Sequence, residues 1–338
     1  MEPVTHFLTG ACLARAGFNR KTALTTATMC LAAEAPDLDV LANVKGAVFG
    51  FAHHRGFTHS FAGLIFTSAL VVGVLYAIWT LRGKPVKDPE PPPRWGLLLL
   101  FGYIAGLSHI LLDYTNNYGV RPFWPFSERW FSWDIVFILE PVMLLVLITG
   151  LVLPSLFALI AEEVGARRER LKGRLGAILA LAAVVVLWGV RDYEHRRAIA
   201  ALEARQYEKA NPVRVSASPY WVNPFRWRGL VETANFFATT PVTTWDLEVD
   251  PNDQMEIWRK AEEMPVTSAA KQSYLGRVYL DWARYPLTEA EPLPDGGYVV
   301  NFKDLRFDYP EMRRRRSVLE ASVELDKKLK VVGERFGR

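Results

Sequence analysis

Five of the six histidines fall before residue 110: His6, His53, His54, His59 and His109. Carboxylates accompany them: Asp37 and Asp39 flank Leu38, and Asp113 follows His109 by four residues. On a helix that spacing stacks both side chains on one face, one turn apart, so His109 and Asp113 can offer an imidazole nitrogen and a carboxylate oxygen to one cation. His54 and His59 bracket Gly56, which lets the segment between them turn. Asp37 and Asp39 can bridge or cap metal ions, although acidic residues in turns are often turn formers only. His6, on an apolar helix, reads equally well as a core residue. Neutral imidazole is a common metal ligand, and a mixed nitrogen and oxygen set suits zinc, manganese or iron more than calcium. The expected cofactor is therefore a divalent metal, zinc first, as one or two ions. The candidate ligands His6, Asp37, Asp39, His54, His59, His109 and Asp113 outnumber the three or four protein ligands of one tetrahedral zinc. They suit a pair of ions, which can activate water and stabilise both oxygens of a displacement.

Other residues are candidates for parts beyond ligation. Arg55 can pair with a substrate phosphate, because a guanidinium matches that geometry; the alternative is a structural ion pair. His53 is an extra neighbour of the cluster and a substitute ligand. Asp134 and Glu140 can orient ligand histidines or simply serve helix ends and interhelical hydrogen bonds. The polar run Thr115-Asn116-Asn117-Tyr118-Gly119 lies just past Asp113, where it can line a site. His195 stands among charges and is expected to face solvent, as is the basic run Arg313–Arg316. Cys12 and Cys30 are expected to be buried free thiols, with no disulfide framework. No nucleophile elbow, phosphate-binding glycine loop or Cys/His nucleophile pair is present.

These residues need elements to hold them. Residues 4–16 and 20–33 read as a helical hairpin, and four longer apolar stretches follow at about 60–81, 96–113, 135–160 and 173–190. Each is near the roughly 17–25 residues that cross a hydrocarbon core. Trp79, Trp95, Trp133 and Trp188 sit near their ends, as an aromatic belt requires. The loop 82–95 carries Arg82, Lys84, Lys87 and Arg94, and the loop 161–174 carries Arg167, Arg168, Arg170, Lys172 and Arg174. The positive-inside rule places both in the cytoplasm, which leaves 114–134 and everything beyond 190 outside. Pro89 to Pro93 read as a stiff connector. His59 and His109 then emerge on the same membrane face.

Residues 1–190 thus form a mainly α-helical polytopic membrane domain, with about four transmembrane helices plus the N-terminal hairpin. Residues 191–211 read as a connecting helix and 212–338 as a soluble α+β domain outside the cytoplasm. Strands are expected at about 226–237, 242–249, 254–258, 297–307 and 317–332, with a helix at about 266–284. The first residues lack a basic n-region, so no cleavable signal peptide is expected. A net charge of +4 over 338 residues gives no footprint for nucleic acid. The expected partner is the lipid bilayer.

The motif set resembles the YdjM-like family of inner-membrane metal-dependent hydrolases. The resemblance runs from about residue 3 to 150. It rests on Thr5-His6, Pro36-Asp37-Leu38-Asp39, the run from His54 to Ser60, Ser108-His109 with Asp113, and Tyr118-Gly119 followed by Trp124-Pro125-Phe126. It implies metal positions at His6, Asp37, His54, His59, His109 and Asp113, with Asp39 close by. A distant similarity to zinc-dependent phospholipases C and zinc nucleases implies phosphoester or lipid-linked substrates. The expected function is a membrane-bound hydrolase, with a non-catalytic metal-binding protein or a scaffold built on the soluble domain as alternatives. A transporter fits less well, because the ligands gather at one face and not at mid-membrane.

Overall fold

The computed structural model describes residues 1–82, 93–163, 172–260, 262–312 and 319–337. Lys84, Lys87, Pro89 to Pro92, Arg167, Arg168, Arg170 and Arg313–Arg316 lie outside the described residues. The described chain divides into two compact units: Met1–Asp39 with Arg55–Asp192, and Val40–His54 with Tyr193–Arg338.

The first unit is helical. Helix α1 (Pro3–Ala16) starts on Pro3, which costs nothing where no intrahelical donor is needed. The Glu2 carboxylate caps it by accepting from Thr5 N at 2.9 Å. Helix α2 (Thr25–Glu34) packs closely on α1: a Cβ on Gly10 would come within 2.6 Å of the Met29 carbonyl oxygen. This is the expected hairpin. A 3-10 segment, Ala35–Lys45, continues from α2. After the 3-10 turn Phe57–His59 come α4 (Gly63–Leu81), α5 (Trp95–Thr115), α6 (Pro141–Glu163) and α7 (Lys172–Glu203); α3 (Ala47–His53) belongs to the second unit.

Among the described residues, three helices are long and apolar enough to cross a membrane: Phe61–Leu81, Trp95–Thr115 and Gly173–Glu203. The stretch expected to be a further span, 135–160, forms α6 (Pro141–Glu163), within which Pro141–Phe157 is apolar. It starts late because Ile135 N and Val136 N donate to the Thr115 carbonyl at 3.0 and 3.1 Å. Those bonds tie the chain in an extended path at the end of α5. The last span and the connecting helix expected after it are one element, α7, with no break near residue 190. Small and aliphatic residues fill the core, including Met29, Ala33, Leu75, Phe101 and Ala105 in one cluster and Cys12, Leu112, Met143 and Leu147 in another. Both cysteines are buried free thiols.

The second unit holds two antiparallel sheets. One has the order β1 (Arg214–Pro219), β2 (Arg226–Glu232), β3 (Phe236–Thr243), β4 (Glu248–Val249), with β5 (Glu256–Arg259) also pairing β3. The other runs β6 (Pro286–Pro292), β7 (Tyr298–Asp304), β8 (Ala321–Leu325), β9 (Val331–Phe336). The expected strand 226–237 is two strands, because Thr233 Oγ1 accepts from Phe236 N at 3.1 Å and closes a turn. The expected 317–332 is likewise split, at the Asp326 turn, where the carboxylate accepts from Lys328 N and Lys330 N. The helix expected at 266–284 is α8 (Pro265–Lys271) and α9 (Tyr274–Trp282), with Ser273 capping the second.

Residues 40–54 interrupt the domain expected to run unbroken through 190. Phe51 of α3 stacks on Phe336 at 3.9 Å between centroids and meets Trp282 edge-on at 5.5 Å. Burying this aromatic among its own kind is what groups the excursion with the sheets. His195 is half-buried, its ring 5.2 Å from that of Trp227, and so is not the solvent-facing residue that its charged neighbours suggested.

Candidate metal centre

Four side chains from three separate stretches converge. Asp37 comes from the 3-10 segment, His59 from the turn before α4, and His109 and Asp113 from the last two turns of α5. One ligand atom from each lies within 4.8 Å of the others. His59 Nε2 is 3.3 Å from Asp37 Oδ1, 3.4 Å from Asp113 Oδ2 and 3.0 Å from His109 Nε2. His109 Nε2 is 3.6 Å from Asp37 Oδ1 and 3.4 Å from Asp113 Oδ2. Ligands about 2.0–2.1 Å from a tetrahedral zinc lie roughly 3.3 Å from one another. The five separations that involve a histidine, 3.0 to 3.6 Å, are close to those of neighbouring ligands in such a shell.

Their protonation fits as well. His109 Nδ1 lies 2.6 Å from the Ala33 carbonyl, which can only accept, so Nδ1 carries the proton and Nε2 presents a lone pair. His59 Nδ1 lies 3.3 Å from Asp39 Oδ2 and 3.1 Å from Thr58 Oγ1. A carboxylate on Nδ1 again leaves Nε2 as a donor of electrons, the usual orientation of a metal-ligating histidine. Two such lone pairs 3.0 Å apart repel unless a cation lies between them. Asp113 Oδ2 is buried, faces both imidazoles and has no hydrogen bond among the described residues. Asp37 is also the most open of the four, its side chain 27% exposed while the others are fully buried.

Arg55 closes the other side. It is buried, with a positive φ of 51°. Its guanidinium donates to Asp113 Oδ1 at 2.9 Å, to the Gly119 carbonyl at 3.0 Å and to Asn116 Oδ1 at 3.3 Å, and lies over the Tyr118 ring. Its backbone N–H donates to Asp39 Oδ2 at 2.7 Å. Arg55 therefore positions ligands, and its guanidinium is engaged by protein acceptors. Asn116 and Tyr118 show the polar turn lining the site.

The remaining sequence candidates are placed as follows. His6 stacks on His109 at 3.7 Å, with Nε2 3.5 Å from Asp113 Oδ1. Burial, then His109, pushes its pKa down, so it is a neutral imidazole. Neither of its nitrogens makes a hydrogen bond among the described residues. The Met1 amino group also contacts Asp113 Oδ1. Asp39 touches His59 through Nδ1 and thus orients it. His54 ends α3 and His53 is exposed, stacked on Phe49 with Nδ1 2.8 Å from the Phe49 carbonyl; both belong to the second unit, outside the converging four. Asp134 is buried with a positive φ of 60°. Glu140 accepts from Arg191 Nη2 at 2.6 Å in a buried pair between α6 and α7, the interhelical alternative. The Ala33 carbonyl and Arg191 escaped sequence reasoning. A backbone acceptor has no residue-type signal; Arg191 did, as a charge inside an apolar helix.

A bundle of apolar helices with a buried His/Asp cluster at the end of one span defines a membrane protein with a site able to hold a metal ion. Residues 1–198 match the YdjM inner membrane protein family. That is more than half of the chain, and the chain belongs to this family. It is also similar to the uncharacterised protein YfhP of Bacillus subtilis (strain 168), at 28% identity over 108 residues, 32% of this chain and 30% of that protein. The match therefore spans about a third of that relative. No solved structure matches.

Proposed function

We propose that the chain is a membrane-bound, metal-dependent hydrolase of phosphoester or lipid-linked substrates. One observation carries the metal: among the described residues, Asp113 Oδ2 is buried without a hydrogen bond and faces two imidazole nitrogens whose protons are held elsewhere. Asp37, His59, His109 and Asp113 would hold one divalent ion, with zinc the best fit to nitrogen and oxygen donors at this spacing. Such an ion would supply a Lewis acid that activates water and neutralises an anionic oxygen. Ala33 and Asp39 fix the tautomers of the two imidazoles, and Arg55 fixes Asp113. The partly exposed Asp37 edge is where water and substrate would enter. The site lies at the end of a membrane span, which favours a substrate that shares the lipid boundary. The cationic loops favour an orientation with residues beyond 190 outside the cytoplasm and the family's inner membrane as the location. Lipid is the expected partner, and nucleic acid is not.

Near-complete burial favours a second reading, in which four protein donors fill the shell and the ion is structural. Metal analysis of the purified wild-type chain and of a His59→Ala, Asp113→Ala variant, followed by a phosphodiester and phospholipid hydrolysis screen, separates them. The hydrolase reading expects about one ion per chain and turnover in the wild type, and neither in the variant. Bound metal without turnover supports the structural reading. Equal metal in both proteins overturns the centre.

A further inference from the structure

The run Trp124-Pro125-Phe126 follows the polar turn of the centre in sequence but stands outside the four converging ligands. It lies in a loop pinched at its base, where Val120 N donates to the Phe131 carbonyl and Phe131 N to the Val120 carbonyl, both at 2.8 Å. Between those residues the chain carries Phe123, Trp124, Phe126 and Trp130. Phe126 is 89% exposed and Phe123 48%. Rings from the start of the first span extend the patch: Phe57 meets Trp124 edge-on at 5.4 Å and Phe66 at 5.5 Å, and Phe61 meets Phe123 edge-on at 5.5 Å. Phe57, Phe61 and Phe66 are exposed as well. All of these residues belong to the helical unit.

The level of the loop follows from the spans that hold it. The chain enters it from the end of the span Trp95–Thr115, and Phe61 N, at the first residue of the span Phe61–Leu81, donates to the Pro122 carbonyl at 2.9 Å. Ile65 and Phe66, early in that span, are exposed and continue the same apolar surface. Two limits bracket the depth. Apolar rings left in water forgo burial worth about 25 cal/mol per Å², so the rings favour an apolar neighbour. Irregular backbone facing lipid is not tolerated within hydrocarbon, where its polar groups find no partner, and the loop also carries the exposed charges Glu128 and Arg129. The layer that meets both limits is the headgroup boundary, where aromatic side chains collect at membrane surfaces.

We propose that the loop 121–130 is an aromatic wedge seated in the headgroup layer, with a phospholipid surface as its partner and Phe126 as its leading ring. Interfacial segments bury their apolar side about 5–10 Å into the headgroup and acyl boundary. Arg129, which lies over the Phe131 ring at 5.3 Å and is exposed, is suited to pair with a lipid phosphate there. The wedge is joined to the metal centre at two points. Phe57 shares its 3-10 turn with His59. At the base of the loop the Gly119 carbonyl and the Tyr118 ring hold Arg55, which in turn holds Asp113. Seating the wedge therefore fixes the height of the centre against the headgroups. The seating stands on the loop and the spans; its consequence for lipid-linked substrates rests on the hydrolase reading.

The test uses the full chain in vesicles of phosphatidylethanolamine and phosphatidylglycerol. Phe123→Cys and Phe126→Cys are labelled with a polarity-sensitive dye, while the buried Cys12 and Cys30 stay unlabelled. Seating predicts blue-shifted emission, protection from aqueous iodide, and stronger quenching by lipids spin-labelled near the headgroup than by lipids spin-labelled near the chain end. Water-like emission quenched by iodide would overturn it, as would stronger quenching from the chain end. A dye shielded from iodide yet untouched by either spin-labelled lipid would mean that protein covers the loop, which also overturns it. A second measurement needs no substitution: a phospholipid with a photoreactive headgroup should crosslink peptide 122–131 of the wild-type chain, and crosslinks confined to the spans would contradict the wedge. Metal content of the same samples keeps the two ideas apart. A seated wedge without metal sinks the hydrolase reading alone, and metal with an aqueous loop sinks the wedge alone.

Discussion

Each unit of the chain buries an arginine–aspartate pair, and the two pairs are finished differently. In the sheet unit, both oxygens of Asp304 are hydrogen-bonded: Oδ1 accepts from Arg306 N at 2.9 Å, and Oδ2 accepts from Arg306 Nε at 2.9 Å and Arg284 N at 2.7 Å. In the helical unit, Asp113 Oδ1 accepts from Arg55 at 2.9 Å, but Oδ2 has no donor among the described residues and faces two imidazoles. A buried carboxylate left half-satisfied is costly. The same pair of residue types is therefore a closed structural bond in one place and an open demand for a cation in the other.

The largest effects should come from breaking the closed pair. Arg306→Ala leaves Asp304 charged and buried, which typically costs about 3–5 kcal/mol. Calorimetry should show that loss in the sheet unit while metal content stays at the wild-type level; loss of metal would mean that the two pairs are not independent. Phe51→Ala should cost about 3–5 kcal/mol as a buried aromatic truncation. The same calorimetry checks it, and a cost under about 1 kcal/mol would show that the 40–54 excursion is not anchored by its ring stack.

The open pair should respond to ligand instead. Zinc at a hundredfold excess over its Kd should stabilise the wild type by about 2.7 kcal/mol. Asp304→Asn should keep that gain and Asp113→Asn should lose it, as read by thermal shift with and without chelator. An equal gain in both variants would erase the distinction.

The smallest effect concerns pH. Burial, then the charge of Asp37, pushes the Glu34 carboxyl up to about 7 from an ordinary 4.5. A raised acid favours the folded state fully below its unfolded pKa, and that contribution is lost as pH rises through the folded value. The wild type should therefore lose stability between about pH 4.5 and 7, and Glu34→Gln should flatten that slope. Half-burial keeps the change small. Parallel slopes in both proteins would remove Glu34 as the cause.

Much of this site is legible from residue type and spacing. His109 and Asp113 show as an i,i+4 pair, and Pro36-Asp37-Leu38-Asp39 and the His54–His59 run show as unusual polar clusters beside apolar stretches. Spacing could not separate His54, which caps α3, from His59, because both flank the same glycine. It also could not show that Arg55 is spent on Asp113, since an arginine beside a histidine serves a substrate or a carboxylate equally well. The hairpin was readable from Gly17 and the small apolar residues around it. Strands β1 and β6 were not, because Ser, Ala, Glu and Pro have weak strand preference and only cross-strand partners fix them. The break in the 266–284 helix depends on Ser273 capping a new helix, a local hydrogen bond that apolar periodicity does not report.

X-ray absorption at the zinc edge of the metal-loaded full chain addresses the central claim most directly. The account predicts a first shell of nitrogen and oxygen at about 2.0–2.1 Å, two imidazoles in the outer-shell scattering and no sulfur, with one imidazole lost in His59→Ala. Sulfur in the shell, or a spectrum that His59→Ala and Asp113→Ala leave unchanged, would contradict it.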